Sequence, residues 1–466
     1  MAAGLVDRVV LGDLTEVFLP GIVDAALAKG PVREVRQRLL PPRLMVYFLL
    51  ARALFCLEPY REVLRMVAES QRCREGWGSW RVSDKAAIFR ARVRLGVEPL
   101  RELLIHAGAA VADETTPGAF WRGLRLMALD GTTLAVADSP ANEAGLGRPR
   151  SAPGRGPTGF PLARLVVLIE AGTHVVADAA VDGYRVKERV LAERLAGALR
   201  PGMLVLADRG LPGAHLWSVL AATGAELLWR VPSIWKLPVE QVLSDGSWIS
   251  TVRGGRGRSV RSPQDIRVRV VEYTLRIPGR EQDERYRLIT TVMDPAAAPA
   301  AELAALYGER WEVENTLAEW KSTQIGSGTV LPSKSPELVF QEIYAHLAVY
   351  TGLRVLMHHT AVHRGEPLDP DRLSFAAALR AARRSVTSPA GDFPPNHTSA
   401  TVRELLEEIN PPRRLRAAIR QVKRKMSKFL AWNPNRPAPP RLARPNPAGH
   451  PRRRASMNPQ SQRYWT

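Results

Sequence analysis

Between about Leu14 and Ala110, apolar side chains recur at helical spacing in long Leu/Val/Ala/Arg-rich stretches, broken at Gly30, Pro31, Pro41, Pro42, Pro59 and the Gly76-Trp77-Gly78 turn. This predicts a helical N-terminal part. After Trp121 the texture changes. Leu124 to Asp130, Thr133 to Ala137, Leu165 to Glu170 and His174 to Ala180 are short runs rich in Val, Leu and Ile, separated by turn residues such as Gly131, Gly172 and Gly183, and they predict strands. A helical pattern over Val186 to Leu199 precedes Met203 to Ala207, a continuous apolar run of the kind a buried parallel strand needs. A helix over Gly213 to Thr223 then leads to a strand over Ala225 to Val231.

Meandering strands followed by helix, strand, helix, strand is the order of a ribonuclease H-like core. From Trp235 to Met293 the pattern is strand-like again, clearest at Asp265 to Ile277 and Arg285 to Met293, with a basic loop, Arg253 to Arg261, ahead of them. Helical spacing resumes at Pro295 and runs through Lys321, then returns at Glu337 to His359 and Asp369 to Val386. The expectation is a multidomain α+β chain. A helical domain spans 1–120, and a ribonuclease H-like α/β core occupies 121–233 and 301–390. An inserted β subdomain at 234–300 divides the core, and a basic, partly flexible C-terminal region covers 391–466. The longest apolar run, Leu44 to Cys56, contains Arg52 and falls short of the roughly 20 residues a bilayer needs, so it reads as a core helix. Asp7 and Arg8 interrupt the first apolar stretch, which gives no export signal and an expected cytoplasmic location with no membrane partner.

Charge narrows the function. Lys and Arg total 66 against 46 acidic residues, a formal net charge of +20, while 45% of the chain is apolar, enough for real cores. A surplus of that size favours a polyanion, and nucleic acid is the first candidate. Residues 411–466 hold fifteen Lys/Arg and no Asp or Glu, leaving 51 basic against 46 acidic residues, about +5, for the rest. Asn433 to Pro451 is crowded with Pro and Asn, as an extended tail would be. Only Cys56 and Cys73 are present, which excludes a disulfide framework and a CxxC-type zinc cluster.

The candidate chemistry lies in carboxylates. Asp130 closes a predicted strand before Gly131-Thr132-Thr133, and Asp208 closes another in Leu206-Ala207-Asp208-Arg209-Gly210, each glycine expected to turn the backbone away. In the helix from Tyr307 to Lys321, the residues Tyr307, Arg310, Glu314 and Lys321 fall on one stripe, whereas Glu309, Glu312 and Glu319 fit a solvated face with ion pairs along the helix. Three carboxylates from separate elements are what two divalent ions need for in-line attack on a phosphodiester, and oxygen ligands suit Mg²⁺ or Mn²⁺ over zinc. On Ser83 to Leu95, Ile88, Ala91 and Leu95 share a face while Lys85, Arg90, Arg92 and Arg94 cover the rest, as on a DNA-recognition helix or a plain amphipathic one. Gly145 to Gly159 lacks the Gly-Lys-Ser/Thr end of a P-loop. His174 and His358-His359 show no partners at metal spacing and read as core or surface residues, and Trp235 and Trp248 are more readily core filler than stacking platforms for an extruded base.

With Asp130-Gly131-Thr132, Leu206-Ala207-Asp208-Arg209-Gly210 and the Tyr-x2-Arg-x3-Glu-x6-Lys spacing at Tyr307, Arg310, Glu314 and Lys321, the chain resembles the DDE transposases of the insertion-sequence-four family. Lys334-Ser335-Pro336-Glu337-Leu338 resembles the continuation of the same motif, and the likeness spans roughly residues 14–430. It implies binding to terminal inverted repeats, cleavage at the element's ends and transfer of the 3′-hydroxyls into target DNA. Asp130, Asp208 and Glu314 would hold two Mg²⁺ (or Mn²⁺) ions. Tyr307, Arg310, Lys321 and Arg209, with Lys85, Arg90 and Arg94, would contact DNA, and a homodimer would hold the two ends together. The alternatives are a ribonuclease H-like nuclease without strand transfer and a DNA-binding protein that has lost catalysis.

Overall fold

The structure is a computed structural model and describes residues 11–31, 39–72, 83–109, 111–149, 159–252, 265–275, 284–362, 368–387 and 398–411. The Gly76-Trp77-Gly78 turn, most of Gly145 to Gly159, the basic loop from Arg253 to Arg261 and the tail beyond residue 411 lie outside the described residues. All described residues belong to one compact unit, Met1–Arg416.

The described chain opens with helices α1 (Pro20–Lys29), α2 (Pro42–Leu54), α3 (Tyr60–Arg72), α4 (Lys85–Leu95) and α5 (Glu98–Ala107). Prolines start α1, α2 and α5, where a missing N–H costs nothing. Asp84 caps α4 by accepting from the Ala87 N–H at 2.6 Å, and Gly96, at φ 72°, ends it.

A ten-stranded sheet follows. Strands β1 (Phe120–Trp121) and β2 (Leu124–Ala135), the short helix α6 (Pro140–Leu146), and strands β3 (Leu162–Glu170) and β4 (Val176–Gly183) form an antiparallel meander. Helix α7 (Glu188–Arg194) leads to β5 (Met203–Ala207), and α8 (Ala214–Ala221) leads to β6 (Glu226–Arg230). Both β5 and β6 run parallel to β2, in the order β4-β3-β2-β5-β6 of a ribonuclease H-like core. The predicted insertion supplies β7 (Gln241–Val242), β8 (Trp248–Val252), β9 (Ile266–Leu275) and β10 (Glu284–Thr290), and because β10 pairs with β6 these strands extend the core sheet edge to edge. Its anchor is Arg269, whose fully buried side chain pairs with Asp245 at 2.5 Å and donates to the Ala298 carbonyl at 2.7 Å. Cutting off that guanidinium would leave the half-buried Asp245 carboxylate without its cation.

Beyond the insertion come α9 (Ala300–Leu306), a 3₁₀ turn over Tyr307–Arg310, α10 (Trp311–Glu319), a π turn over Trp320–Gln324, and α11 (Pro336–Val362). A 3₁₀ turn at Pro370–Arg372, α12 (Phe375–Thr387) and α13 (Thr398–Glu407) complete the described elements. Helix α11 has 27 residues, about 40 Å at 1.5 Å per residue, and is apolar on nearly every side, so it can only be a central helix. The helices α2 and α5 pack on it from the N-terminal part, and β4 packs on it from the sheet. A Cβ at Gly352 would lie 3.0 Å from both Leu14 and Phe18, so the segment ahead of α1 seats directly on the α11 backbone there. One face of the sheet buries Leu126, Ala128, Leu204, Leu206 and Leu228 in the core shared with α10 and α11. The other buries Met127, Leu129, Val205, Ala207 and Trp229 beneath α7 and α8. No helix among the described residues is long and apolar enough to cross a membrane.

Candidate active site

Strand alternation decides which side chains reach the site. On β2, Leu126 and Ala128 face the α10 layer, so Asp130 faces it too, and Leu204 and Leu206 on β5 set the same direction for Asp208. The parallel ladder ends with Leu129 opposite Ala207. Asp130 and Asp208 are therefore the next residues on neighbouring strands, whose backbones lie about 4.8 Å apart. The expected strand end at Asp130 is corrected here. Gly131, Thr132 and Thr133 continue β2 to Ala135 because they still pair with Val166, Leu165 and Arg164 of β3. What stops at Leu129 is the ladder to β5, and that leaves Asp130 at a mouth. Gly131 does not turn the chain. It makes room, since a Cβ there would stand 2.9 Å from the Glu188 side chain.

Two contacts pin the α10 segment over this mouth. Seven residues before Glu314, the Tyr307 hydroxyl donates to the Ala207 carbonyl at 3.3 Å. Seven residues after it, the Lys321 ammonium donates to Thr132 Oγ1 at 2.9 Å and to the Thr133 carbonyl at 3.0 Å. Between them Arg310 donates to Glu314 Oε1 at 3.0 Å and lies 5.7 Å from the centre of the Tyr307 ring. The four motif side chains thus meet along one side, although the backbone changes from 3₁₀ to α to π, which a uniform 3.6-residue spacing did not anticipate.

The electrostatics couple all three acids. Burial pushes the Asp130 carboxyl up to about 6, Glu314 and Asp208 add to the rise, and the Gly131 N–H and Arg310 oppose it. Arg310 is held charged by Tyr307, Asp208 and Glu314 against the cost of its burial, and burial keeps the Tyr307 phenol protonated. A carboxyl raised first by burial and further by two neighbouring carboxylates is one a cation would stabilise, and the donors are hard oxygens. That donor set fits divalent ions of the Mg²⁺ or Mn²⁺ type.

The remaining predicted residues are placed less centrally. Arg209 is exposed directly after Asp208. Lys85, Arg90 and Arg94 lie on the solvent side of α4, together with the exposed Phe89 and Val93. Arg92 does not join them. It is buried and donates to Tyr60 Oη and Gln341 Oε1 at 2.8 Å each, tying α4 to α11, because Ile88, Ala91 and Leu95 turn that side inward. Glu312 and Glu319 also depart from expectation, since both enter a polar cluster behind α10. His174, expected to lack partners, lies 3.1 Å from both Glu312 and Asp371, an association between distant segments that local spacing cannot reveal. His358 is buried beside Thr116, His359 is exposed, and Trp235 and Trp248 pack into the second core. Arg230 was missed. Next to Asp208 by register, it lies 3.7 Å from the centre of the Tyr286 ring, and its charge acts on Tyr307. The signal was available as Leu228 and Arg230 alternating on β6.

Two family profiles match the chain: "Insertion element 4 transposase N-terminal" over residues 8–104 and "Transposase DDE domain" over residues 121–351. The chain belongs to the insertion-element-four family of DDE transposases. Membership carries divalent-metal use with it. Among curated relatives, this DDE transposase is 27% identical over 432 residues to "Transposase InsG for insertion sequence element IS4" of Escherichia coli (strain K12), covering 90% of this chain and 92% of that protein. It is 26% identical over 216 residues to "Putative transposase InsZ" of the same organism, covering 46% of this chain and 69% of that one. A solved synaptic complex of piggyBac transposase with hairpin DNA is 12% identical, with 88% of this chain and 87% of that chain covered and a TM-score of 0.43.

Proposed function

We propose that this DDE transposase binds the inverted repeats of its element, cleaves the DNA at the ends and joins the freed 3′-hydroxyls to target DNA. The observation that carries the reading is the register that sets Asp130 beside Asp208 under the helix bearing Glu314, with Asp130 raised by burial and further by both other acids. These three carboxylates would hold two Mg²⁺ or Mn²⁺ ions. When bound, the ions activate the attacking oxygen and stabilise the leaving one. The protein's own part is positioning. Tyr307 and Lys321 hold α10 across the mouth, and Arg310 orients the Glu314 carboxylate while adding a buried positive charge beside Asp208. The exposed Arg209, Lys85, Arg90 and Arg94 would take DNA phosphates, as would Arg310 and Lys321 in the DNA complex. The basic tail would add sequence-independent affinity, and two copies would hold two ends.

The direct test mixes purified protein, Mg²⁺, a labelled duplex ending in the element's inverted repeat and a supercoiled plasmid. Joined label is the expected result. Cleavage without joining would make the protein a nuclease, and end binding without cleavage would make it a DNA-binding derivative.

A further inference from the structure

The strongest unassigned feature is a partly buried polar cluster on the side of α10 away from the acids. Glu312 and Glu319 stand about 140–160° around the helix from Glu314 at 100° per residue, so they mark its back. Three segments converge on them. His174, in the turn between β3 and β4, has Nε2 3.1 Å from Glu312 Oε2 and 3.1 Å from Asp371 Oδ1. Asp371 comes from the 3₁₀ turn after α11, and from α11 itself Tyr350 donates to Glu319 at 3.0 Å while Arg354 pairs with the same carboxylate. The His174 ring is fully buried and its backbone holds φ 62°, a conformation rare for L side chains, fixed by its N–H donating to the Glu170 carbonyl at 3.0 Å.

Hydrogen bonding distinguishes a clamp from a metal site. Arg354 Nη2 lies 3.0 Å from His174 Nδ1, and a guanidinium can only donate, so Nδ1 accepts and the ring proton sits on Nε2. That Nε2 lies 3.1 Å from an oxygen of each of the Glu312 and Asp371 carboxylates, close to both and aligned as a hydrogen bond on neither. A cation bound at Nε2 would force a hydrogen onto Nδ1, against the Arg354 guanidinium.

We propose that His174, backed by Arg354 and Asp371, is a positioning residue that fixes the roll of α10 and so the aim of Glu314 at Asp130 and Asp208. On the sheet side Tyr307 and Lys321 bond the two ends of the segment to the strands, and between them apolar packing at Leu317 leaves its roll to be fixed from behind. At a radius of about 6 Å, a 10° roll moves a carboxylate about 1 Å. Misplacement by 1 Å costs on the order of 10²-fold in rate. The inference rests on the proposed chemistry at the three acids.

The test compares Glu312→Ala and Glu312→Gln with wild type in three measurements: thermal melting, Mn²⁺ titration by electron paramagnetic resonance, and single-turnover cleavage of the inverted-repeat duplex per folded molecule. Ala should cut at least about 30-fold more slowly and need more Mn²⁺, with normal end binding. Gln, which keeps an oxygen beside Nε2, should recover most of the loss, and His174→Ala should match Glu312→Ala. Wild-type cleavage by folded Glu312→Ala, whatever its melting temperature, would overturn the clamp alone. A tightly held transition metal lost from both Glu312 variants would overturn it in favour of a metal site. Wild-type protein that neither binds Mn²⁺ nor cleaves would overturn the underlying reading, and the clamp with it.

Discussion

Replacing Asp130 with Asn should make the metal-free protein more stable at neutral pH while abolishing cleavage. Asp130 titrates near 6 in the fold against an ordinary value of 3.8, raised first by burial and then by Glu314 and Asp208. A folded-state pKa above the unfolded one means that the fold binds a proton the unfolded chain does not. The cost of keeping the ionised form in the fold is therefore absent below about pH 4, grows through pH 4 to 6 and is complete above that. About two pKa units at 1.36 kcal/mol each is roughly 3 kcal/mol, of which Asn, with no charge to bury, should recover about 1.5 to 3 kcal/mol at pH 8. With about 2 °C or less per kcal/mol for a unit of this size, melting in EDTA should rise by roughly 2 to 6 °C, and the gain should vanish at pH 4. Adding Mg²⁺ should reverse the ranking, since ion at about 1,000 times its Kd stabilises wild type by about 4.1 kcal/mol and the variant has lost a ligand. Equal or lower stability of Asp130→Asn in EDTA at pH 8 would refute the idea that Asp130 is held in a charge-crowded site.

Arg310→Ala should lower stability by about 1 to 3 kcal/mol, because it strands a partly buried Glu314 carboxylate. It should also move the acid limb of the cleavage pH profile upward, since Arg310 opposes the rise at Asp130, and an unmoved limb would detach Arg310 from the site. Lys321→Ala loses two bonds to β2 and should depress both melting and cleavage per folded molecule; reduced melting with normal cleavage would leave Lys321 a purely structural tie. Removing residues 411–466, with fifteen Lys/Arg, should flatten the salt dependence of DNA binding by about 0.9 in log–log slope per lost phosphate contact, and an unchanged slope would exclude the tail from DNA.

Asp130 and Asp208 were legible as candidates because each ends an apolar run long enough to be a strand. The register that sets them side by side was not, since pairing between β2 and β5 is chosen by the whole sheet. Gly131 misled for a related reason. Glycine before two threonines looks like a turn locally, yet the β3 ladder carries the strand onward and uses the glycine for space. The motif helix was legible from its spacing, but its 3₁₀ and π turns depend on where Tyr307 and Lys321 find partners on the sheet. Arg92, Glu312 and Glu319 looked solvated because charge normally signals surface. Each is instead bonded inside, to partners from segments far along the chain that local periodicity cannot see.

The central claim, that Asp130, Asp208 and Glu314 jointly hold the divalent ions that cut DNA, is tested most directly by exchanging one ligand for sulfur. Asp208→Cys should be inactive in single-turnover cleavage of the inverted-repeat duplex with Mg²⁺, which shuns thiolate, and should regain activity with the softer Mn²⁺. Cleavage by Asp208→Cys in Mg²⁺ at the wild-type rate would contradict the account.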